Sequence, residues 1–254
     1  MCLVGFAWKT HPRWRLVMAG NRDEMHDRPT AALAPWADAP VLAGRDLRSG
    51  GTWMGLGPCG RVAVVTNVRD GPPTPFDGPS RGALPADFLA GTITAAASAQ
   101  AIASQADRYA PFNLVLADAH ACVHVGNHPA LGMRPIPPGV HALSNGPFDA
   151  PWPKVRRLQA SLESWADRGS QALEPLWAAL ADEQIADVAD LPQTGISDEM
   201  ERRLSASFVR GEGYGTRAST LVLIDRDNRG TIIERRFGPE GVFLGETTLT
   251  QEPA

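Results

Sequence analysis

The chain has 254 residues, of which 43% are hydrophobic and 20% charged, with a formal net charge of -4. This is enough length for one sizeable core and the composition of an ordinary folded protein rather than a disordered or fibrous one. The charge argues against a nucleic-acid-binding surface.

No apolar run reaches the roughly 18 residues of a membrane span, and no signal-peptide core precedes Lys9, so the expected location is the cytoplasm with no membrane span. Lysine occurs only at Lys9 and Lys154, and the other basic residues are arginine. The three cysteines, Cys2, Cys59 and Cys122, are too few and too scattered for a disulfide framework or a Cys-x-x-Cys metal knuckle.

In chain order, Leu3 to Trp8 and Arg15 to Ala19 are short apolar runs around turn material at Thr10-His11-Pro12-Arg13 and read as a β-hairpin. The second run ends in Gly20-Asn21-Arg22-Asp23-Glu24, which the hairpin returns towards Cys2. Residues 29–58 read as loops and short strands. Arg61 to Thr66 is a β-branched strand that stops at Asn67, and Gly71 to Pro79, with four prolines, is a loop that could cover a pocket. Leu84 to Ala90 and Thr92 to Asp107 read as helices. Phe112 to Ala117 and Ala121 to Val125 form a strand pair, and Val140 to Leu143 is a short strand ending at Ser144-Asn145. Lys154 to Asp167 is an amphipathic helix, followed by a helix over Leu173 to Leu180. Strands return at Ala206 to Val209, Thr216 to Asp225 and Thr231 to Phe237. This order describes a single domain over 1–254, with antiparallel sheets covered by helices rather than regular βαβ alternation.

Polar residues gather where apolar strands stop, at Asn21-Arg22-Asp23-Glu24, Thr66-Asn67, Ser144-Asn145 and Thr216-Arg217. Cys2 directly follows the initiator methionine. Exposed as the first residue, it would carry a thiol (pKa ~8.5) and an α-amine (pKa ~7.7–8.0) on one carbon, a nucleophile with its own base. Such a site also needs a carboxylate for the amine, a cation for the thiolate and amide donors for an oxyanion. The tryptophans outside regular patterns, Trp36, Trp53 and Trp152, are candidates for lining a pocket. His120, His124 and His128 recur every four residues, but the local pattern is strand and turn, so no metal site is expected. Gly211-x-Gly213-x-Gly215 precedes a strand and reads as a turn rather than a phosphate loop.

Met1-Cys2, Asn21-Arg22-Asp23-Glu24, Gly50-Gly51-Thr52-Trp53, Thr66-Asn67, Ser80-Arg81-Gly82, Phe112-Asn113-Leu114, Leu143-Ser144-Asn145, Pro151-Trp152-Pro153-Lys154 and Tyr214-Gly215-Thr216-Arg217 stand in order along the chain. Together they resemble the NRDE family, also called the transport and Golgi organization protein 2 family. That family is taken to be similar to N-terminal-nucleophile (Ntn) hydrolases of the cysteine branch, such as choloylglycine hydrolases, penicillin V acylases and acid ceramidase-like amidases. The resemblance implies an α+β fold, a four-layer αββα sandwich. It also implies Cys2 as nucleophile and base after removal of Met1, Asp23 at the α-amine, and Arg22 at the thiolate. Asn67 and Asn145 would form the oxyanion hole, with Arg217 supporting the site. Asn21, Trp53, Thr66 and Trp152 are the candidate substrate-binding residues. The adjacency of Arg22 and Asp23 departs from the wider spacing in cysteine amidases. Adjacent strand residues face opposite ways, so either the strand ends or bulges there, or Asn21 and Asp23 face Cys2 while Arg22 serves structure.

The implied reaction is hydrolysis or transfer of an acyl group from a small-molecule amide or thioester, with no cofactor required. The family's association with haem mobilisation and acyl-CoA or lipid homeostasis implies an alternative, carriage of haem or an acyl ligand without chemistry. Substrate and oligomeric state are not encoded in any motif.

Overall fold

The computed structural model describes residues 2–72 and 74–253. One sheet has six antiparallel strands, β10 (Gly139–Leu143), β1 (Cys2–Trp8), β2 (Trp14–Met25), β11 (Tyr214–Asp225), β12 (Gly230–Phe237) and β13 (Phe243–Gln251), in that spatial order. The other has seven in sequence order, β3 (Thr30–Pro35), β4 (Leu42–Asp46), β5 (Met54–Gly57), β6 (Arg61–Asn67), β7 (Phe112–Ala117), β8 (Cys122–Gly126) and β9 (Gly132–Pro135). Helices α1 (Ala83–Ala90) and α2 (Ala95–Ala103) cover the seven-stranded sheet, while α3 (Pro153–Asp167) and α4 (Glu174–Leu180) cover the six-stranded one. The layers are therefore αββα, as the resemblance implies. A short helix, α5 (Asp198–Arg203), lies outside this frame.

Three apolar layers hold the sandwich together. Phe6, Trp8, Met18, Met54, Val115 and Ile224 meet between the sheets. Leu89, Ile102 and Leu114 fill the space under α1 and α2, and Leu3, Val17, Leu158, Leu162 and Trp165 that under α3 and α4. Period-2 alternation explains the split along β1, where Val4 and Phe6 enter the inter-sheet core and Leu3 and Ala7 the helix side. The two faces of β1 are thus both apolar and both buried.

Helix α3 seats directly on β1 at Gly5, where a Cβ would lie 2.5 Å from Leu162 Cδ1 and 2.9 Å from Leu158 Cγ. Gly5→Val is expected to lower stability by about 1–3 kcal/mol through overpacking, measured as a lower urea midpoint at unchanged slope.

Several elements differ from the sequence expectations. The second hairpin strand continues from Trp14 to Met25, so Asn21-Arg22-Asp23-Glu24 lies within a central strand instead of at its end. It continues because β11 pairs with it as far as Tyr214↔Met25. The helix expected over Thr92 to Asp107 is shorter, capped by Thr94, whose side chain accepts from Ala97 N. Ala206 to Val209 is buried but irregular, with Phe208 N donating to Asp182 O. β9, β13 and α5 were not anticipated. Gly71 to Pro79 is irregular as expected, with Pro73 outside the described residues.

Candidate functional site

Cys2 opens β1 and pairs with Arg22, while Leu3 pairs with Asn21. Directly paired residues share a face, so Arg22 stands on the face of Cys2 and Asn21 on the opposite one. Asn21 Nδ2 donates to Leu180 O and Ser207 O, both at 2.7 Å, and its Oδ1 accepts from Ser219 Oγ at 2.6 Å. Its polar atoms are consumed in anchoring β2 to the helix side, and it is absent from the cavity wall. This corrects the expectation that Asn21 binds substrate, and Arg22, not Asn21, shares the face of Cys2.

Asp23 lies one step beyond the Cys2–Arg22 pair, opposite Thr216. A bulge between Thr216 and Ala218 takes up the register shift and leaves Arg217 out of the pairing. Thr216 Oγ1 donates to Asp23 Oδ1 at 2.7 Å and accepts from Val209 N at 2.9 Å. Burial raises the Asp23 pKa, opposed by nearby positive charge that includes Lys154 and Arg22.

The backbone of Cys2 is clamped by the segment after β10. Because Val4 pairs with Leu143, Ser144 and Asn145 run alongside the start of β1. Cys2 N donates to Asn145 Oδ1 at 3.2 Å, and Ser144 Oγ donates to Cys2 O at 2.8 Å. Asn145 Nδ2 donates to Asn67 O at 2.8 Å, and Thr66 Oγ1 to Ser144 O at 2.9 Å. Two side chains thereby tie the end of β6 to the end of β10, joining the sheets at Cys2. Thr66 is a buried tie and not part of the cavity wall. With both ends of its amide engaged, Asn145 serves the Cys2 nitrogen in this arrangement, while Asn67 faces the cavity.

The cavity beside Cys2 has a volume of about 910 Å³. Arg22, Asp23, Asn67, Asn145, Trp53 and Arg217 all line it. Trp53 follows a loop pressed against the start of α1, where a Cβ on Gly51 would lie 2.4 Å from the Gly82 carbonyl. Trp152 does not reach the cavity. It packs on Gly146, where a Cβ would lie 2.5 Å from its ring, and Arg69 stands 5.2 Å from its centroid. Its role is to seat the start of α3 behind Asn145, which corrects its assignment to substrate. Arg217 donates to Met25 O at 2.7 Å and Arg28 O at 3.0 Å, which places it at the rim.

Burial pushes the Cys2 thiol pKa up, with Asp23 and Glu24 adding to the rise and Arg22 opposing it. The resting group is therefore a thiol and needs a base. Arg22 lies 3.5 Å from Glu24 and 3.7 Å from Asp46 through Nη2, while its Nη1 is buried without a hydrogen-bond partner.

A family model described as "Transport and Golgi organisation 2" matches residues 1–239. The chain belongs to the Transport and Golgi organisation 2 family. The Homo sapiens transport and Golgi organization protein 2 homolog is 31% identical over 270 residues, covering 97% of each chain. The Drosophila melanogaster transport and Golgi organization protein 2 is 28% identical, covering 92% of this chain and 91% of that one. Among solved structures, the C2A mutant of the conjugated bile acid hydrolase from Clostridium perfringens superposes with a TM-score of 0.55 at 8% identity, covering 97% of this chain and 92% of that one. A Caenorhabditis elegans ortholog of N-acylethanolamine-hydrolyzing acid amidase gives 0.50 at 10% identity, covering 71% and 86%. This member of the Transport and Golgi organisation 2 family thus has the Ntn-hydrolase fold.

Motif residues that the sequence reading left without a role also stand at the site. Arg81 and Tyr214 line the cavity, and both interact electrostatically with Cys2. Their signal was position within the ordered family motifs. The three histidines do not converge: His124 is buried against Asn113 Oδ1 at 3.0 Å, with burial lowering its pKa to about 4. His128 instead lies 3.4 Å from Asp70.

Proposed function

We propose that this protein is an N-terminal-cysteine amidohydrolase or acyltransferase acting on an amide or thioester of an acyl group. The supporting observation is the position of Cys2, first in β1 and on the cavity wall, with its nitrogen hydrogen-bonded to Asn145 and Asp23 one register step beyond. Removal of Met1, which lies outside the described residues, converts that nitrogen into an α-amine. The amine takes the thiol proton as sulfur attacks the carbonyl carbon, and the resulting oxyanion meets Asn67 and the unpartnered Nη1 of Arg22. Collapse breaks the bond to the leaving amine or thiol, which takes the proton from the α-ammonium and leaves a thioester on Cys2. Water or an acceptor amine then attacks that thioester, with the α-amine again as base. Three unbridged cysteines accord with a cytoplasmic location.

The test is the intact mass of the mature protein, alone and after acid quenching with amide and thioester substrates. The expected species lacks Met1 and gains one acyl group on Cys2. A population that retains Met1 overturns the mechanism.

A second reading, carriage of haem or an acyl-CoA or other lipid, is favoured by the cavity wall, where Trp53, Phe76, Phe237 and Leu244 stand with Arg81, Arg217 and Arg236. Cys2, Met25, Met200 and Tyr214 on that wall carry donor atoms of the kinds that ligate haem iron. A carrier retains saturable binding, seen as a Soret band or thermal shift, after Cys2→Ala.

A further inference from the structure

Lys154 occupies the first turn of α3, directly after Pro153. It is only 2% exposed, and its Nζ is buried without a hydrogen-bond partner. An enclosed ammonium is costly. A cation is also disfavoured at the positive end of the helix dipole. The packing of α3 does not require it, since the helix meets β1 through Val155, Leu158 and Leu162. Lys154 is not part of the cavity wall, so substrate does not touch it.

The titratable and charged groups that act on Lys154 are Asp23 of β2, Cys2 of β1, Arg69 after β6 and Arg157 of α3 itself. Asp23 continues the face of Leu3 and Asn21, which is the face that α3 covers. Those acting on Cys2 include Asp23, Arg22 and Glu24, and Arg81 and Tyr214 stand on the same cavity wall. The proposed chemistry needs an uncharged amine at Cys2. A carboxylate beside an amine works against that, because it favours the ammonium and spoils the base. A second cation on the same carboxylate reverses the balance.

We propose that Lys154 is a positioning residue that neutralises Asp23 and so keeps the Cys2 α-amine in its uncharged, proton-accepting form. The inference rests on the reading of Cys2 as an N-terminal nucleophile. Burial lowers the Lys154 pKa to about 8, so its charge is present at neutral pH and is lost as the pH rises through that value. A cation near the amine lowers the pKa of the amine, and its removal raises it.

The experiment follows the Cα and Cβ resonances of Cys2 against pH in full-length protein labelled with ¹³C-cysteine, which requires no substrate. Lys154→Met is expected to raise the apparent pKa of the α-amine by about one pH unit or more. In the same variant, kcat/KM below that pKa falls about tenfold and recovers at higher pH. Lys154→Arg keeps a cation that does not titrate in this range, so the amine pKa stays low and the inflection near pH 8 disappears. A folded Lys154→Met protein whose Cys2 titration matches the parent overturns the proposal. If Lys154→Met does not fold, an inflection near pH 8 that persists in Lys154→Arg overturns it instead. Retention of Met1 overturns both this proposal and the enzymatic reading. Loss of Met1 and Cys2-dependent turnover with an unmoved titration overturn this one alone.

Discussion

Cys2→Ala is expected to abolish turnover of amide or thioester substrates, by roughly 10⁴-fold or more, because it removes the atom that forms the covalent bond. The fold should survive. Cys2 is held through its backbone, by Asn145 Oδ1 on its nitrogen and Ser144 Oγ on its carbonyl, and alanine retains both contacts. The loss is that of one small buried sulfur, of the order of 1 kcal/mol. Cys2→Ser also retains the clamp and the amine but presents a hydroxyl, which is far harder to deprotonate than a thiol. Serine turnover is expected well below that of the parent, with unchanged far-ultraviolet circular dichroism and urea midpoint. The decisive measurement is kcat/KM of purified mature protein beside those two controls. A Cys2→Ala protein retaining more than about a tenth of parent turnover would remove Cys2 from the chemistry.

Alternating apolar runs made the hairpin legible, and the ordered motifs pointed to its first residue as the nucleophile position. The continuation of β2 to Met25 was hidden, because Asn21-Arg22-Asp23-Glu24 has the composition of a strand end. Polar partners inside the sheet sustain that strand: Ser219 takes Asn21, and Thr216 takes Asp23. β13 was missed for the opposite reason. Its sequence, Phe243-Leu-Gly-Glu-Thr-Thr-Leu-Thr-Gln251, is half-exposed at a sheet edge and lacks the apolar density of a core strand.

The same physics limits how far the site can be read from sequence. Cys2 and Asn145 are 143 residues apart, and only strand pairing brings the amide of one to the nitrogen of the other. Periodicity identifies which residues of β1 face the core, yet it cannot identify the helix packed behind that strand. Lys154 therefore read as the polar start of an amphipathic helix. The register of β1 against β2 resolves the Arg22–Asp23 adjacency without ending the strand: Arg22 shares the face of Cys2, and Asp23, on the alternate face, still reaches the cavity wall one step beyond Cys2. Alternation, which made the pair look anomalous, lets neighbouring residues serve two different sides of the site.

Glu201→Ala is expected to destabilise the protein by about 3–5 kcal/mol, because it removes the carboxylate that balances a buried guanidinium. Arg69 Nη2 is paired with Glu201 Oε2, their side chains 8% and 1% exposed. Arg69 Nε also donates to Thr194 Oγ1 at 2.6 Å, and Glu201 Oε1 accepts from Thr194 N at 2.9 Å. The backbone of Arg69 is fixed at the site, its N–H donating to Asn145 O at 2.7 Å. The pair thus connects the clamp around Cys2 to α5, and Ile196, Met200 and Leu204 of that segment wall the cavity. Loss of Glu201 takes the carboxylate from both the guanidinium and the Thr194 amide, so a lower urea midpoint should be accompanied by a raised KM. Replacing both partners with apolar residues, Arg69→Met with Glu201→Leu, removes both buried charges and should recover most of the stability. It should not recover KM, because the link from Asn145 to the cavity wall is still cut. A Glu201→Ala protein within about 1 kcal/mol of the parent would show that water reaches this pair and that it contributes no more than a surface ion pair.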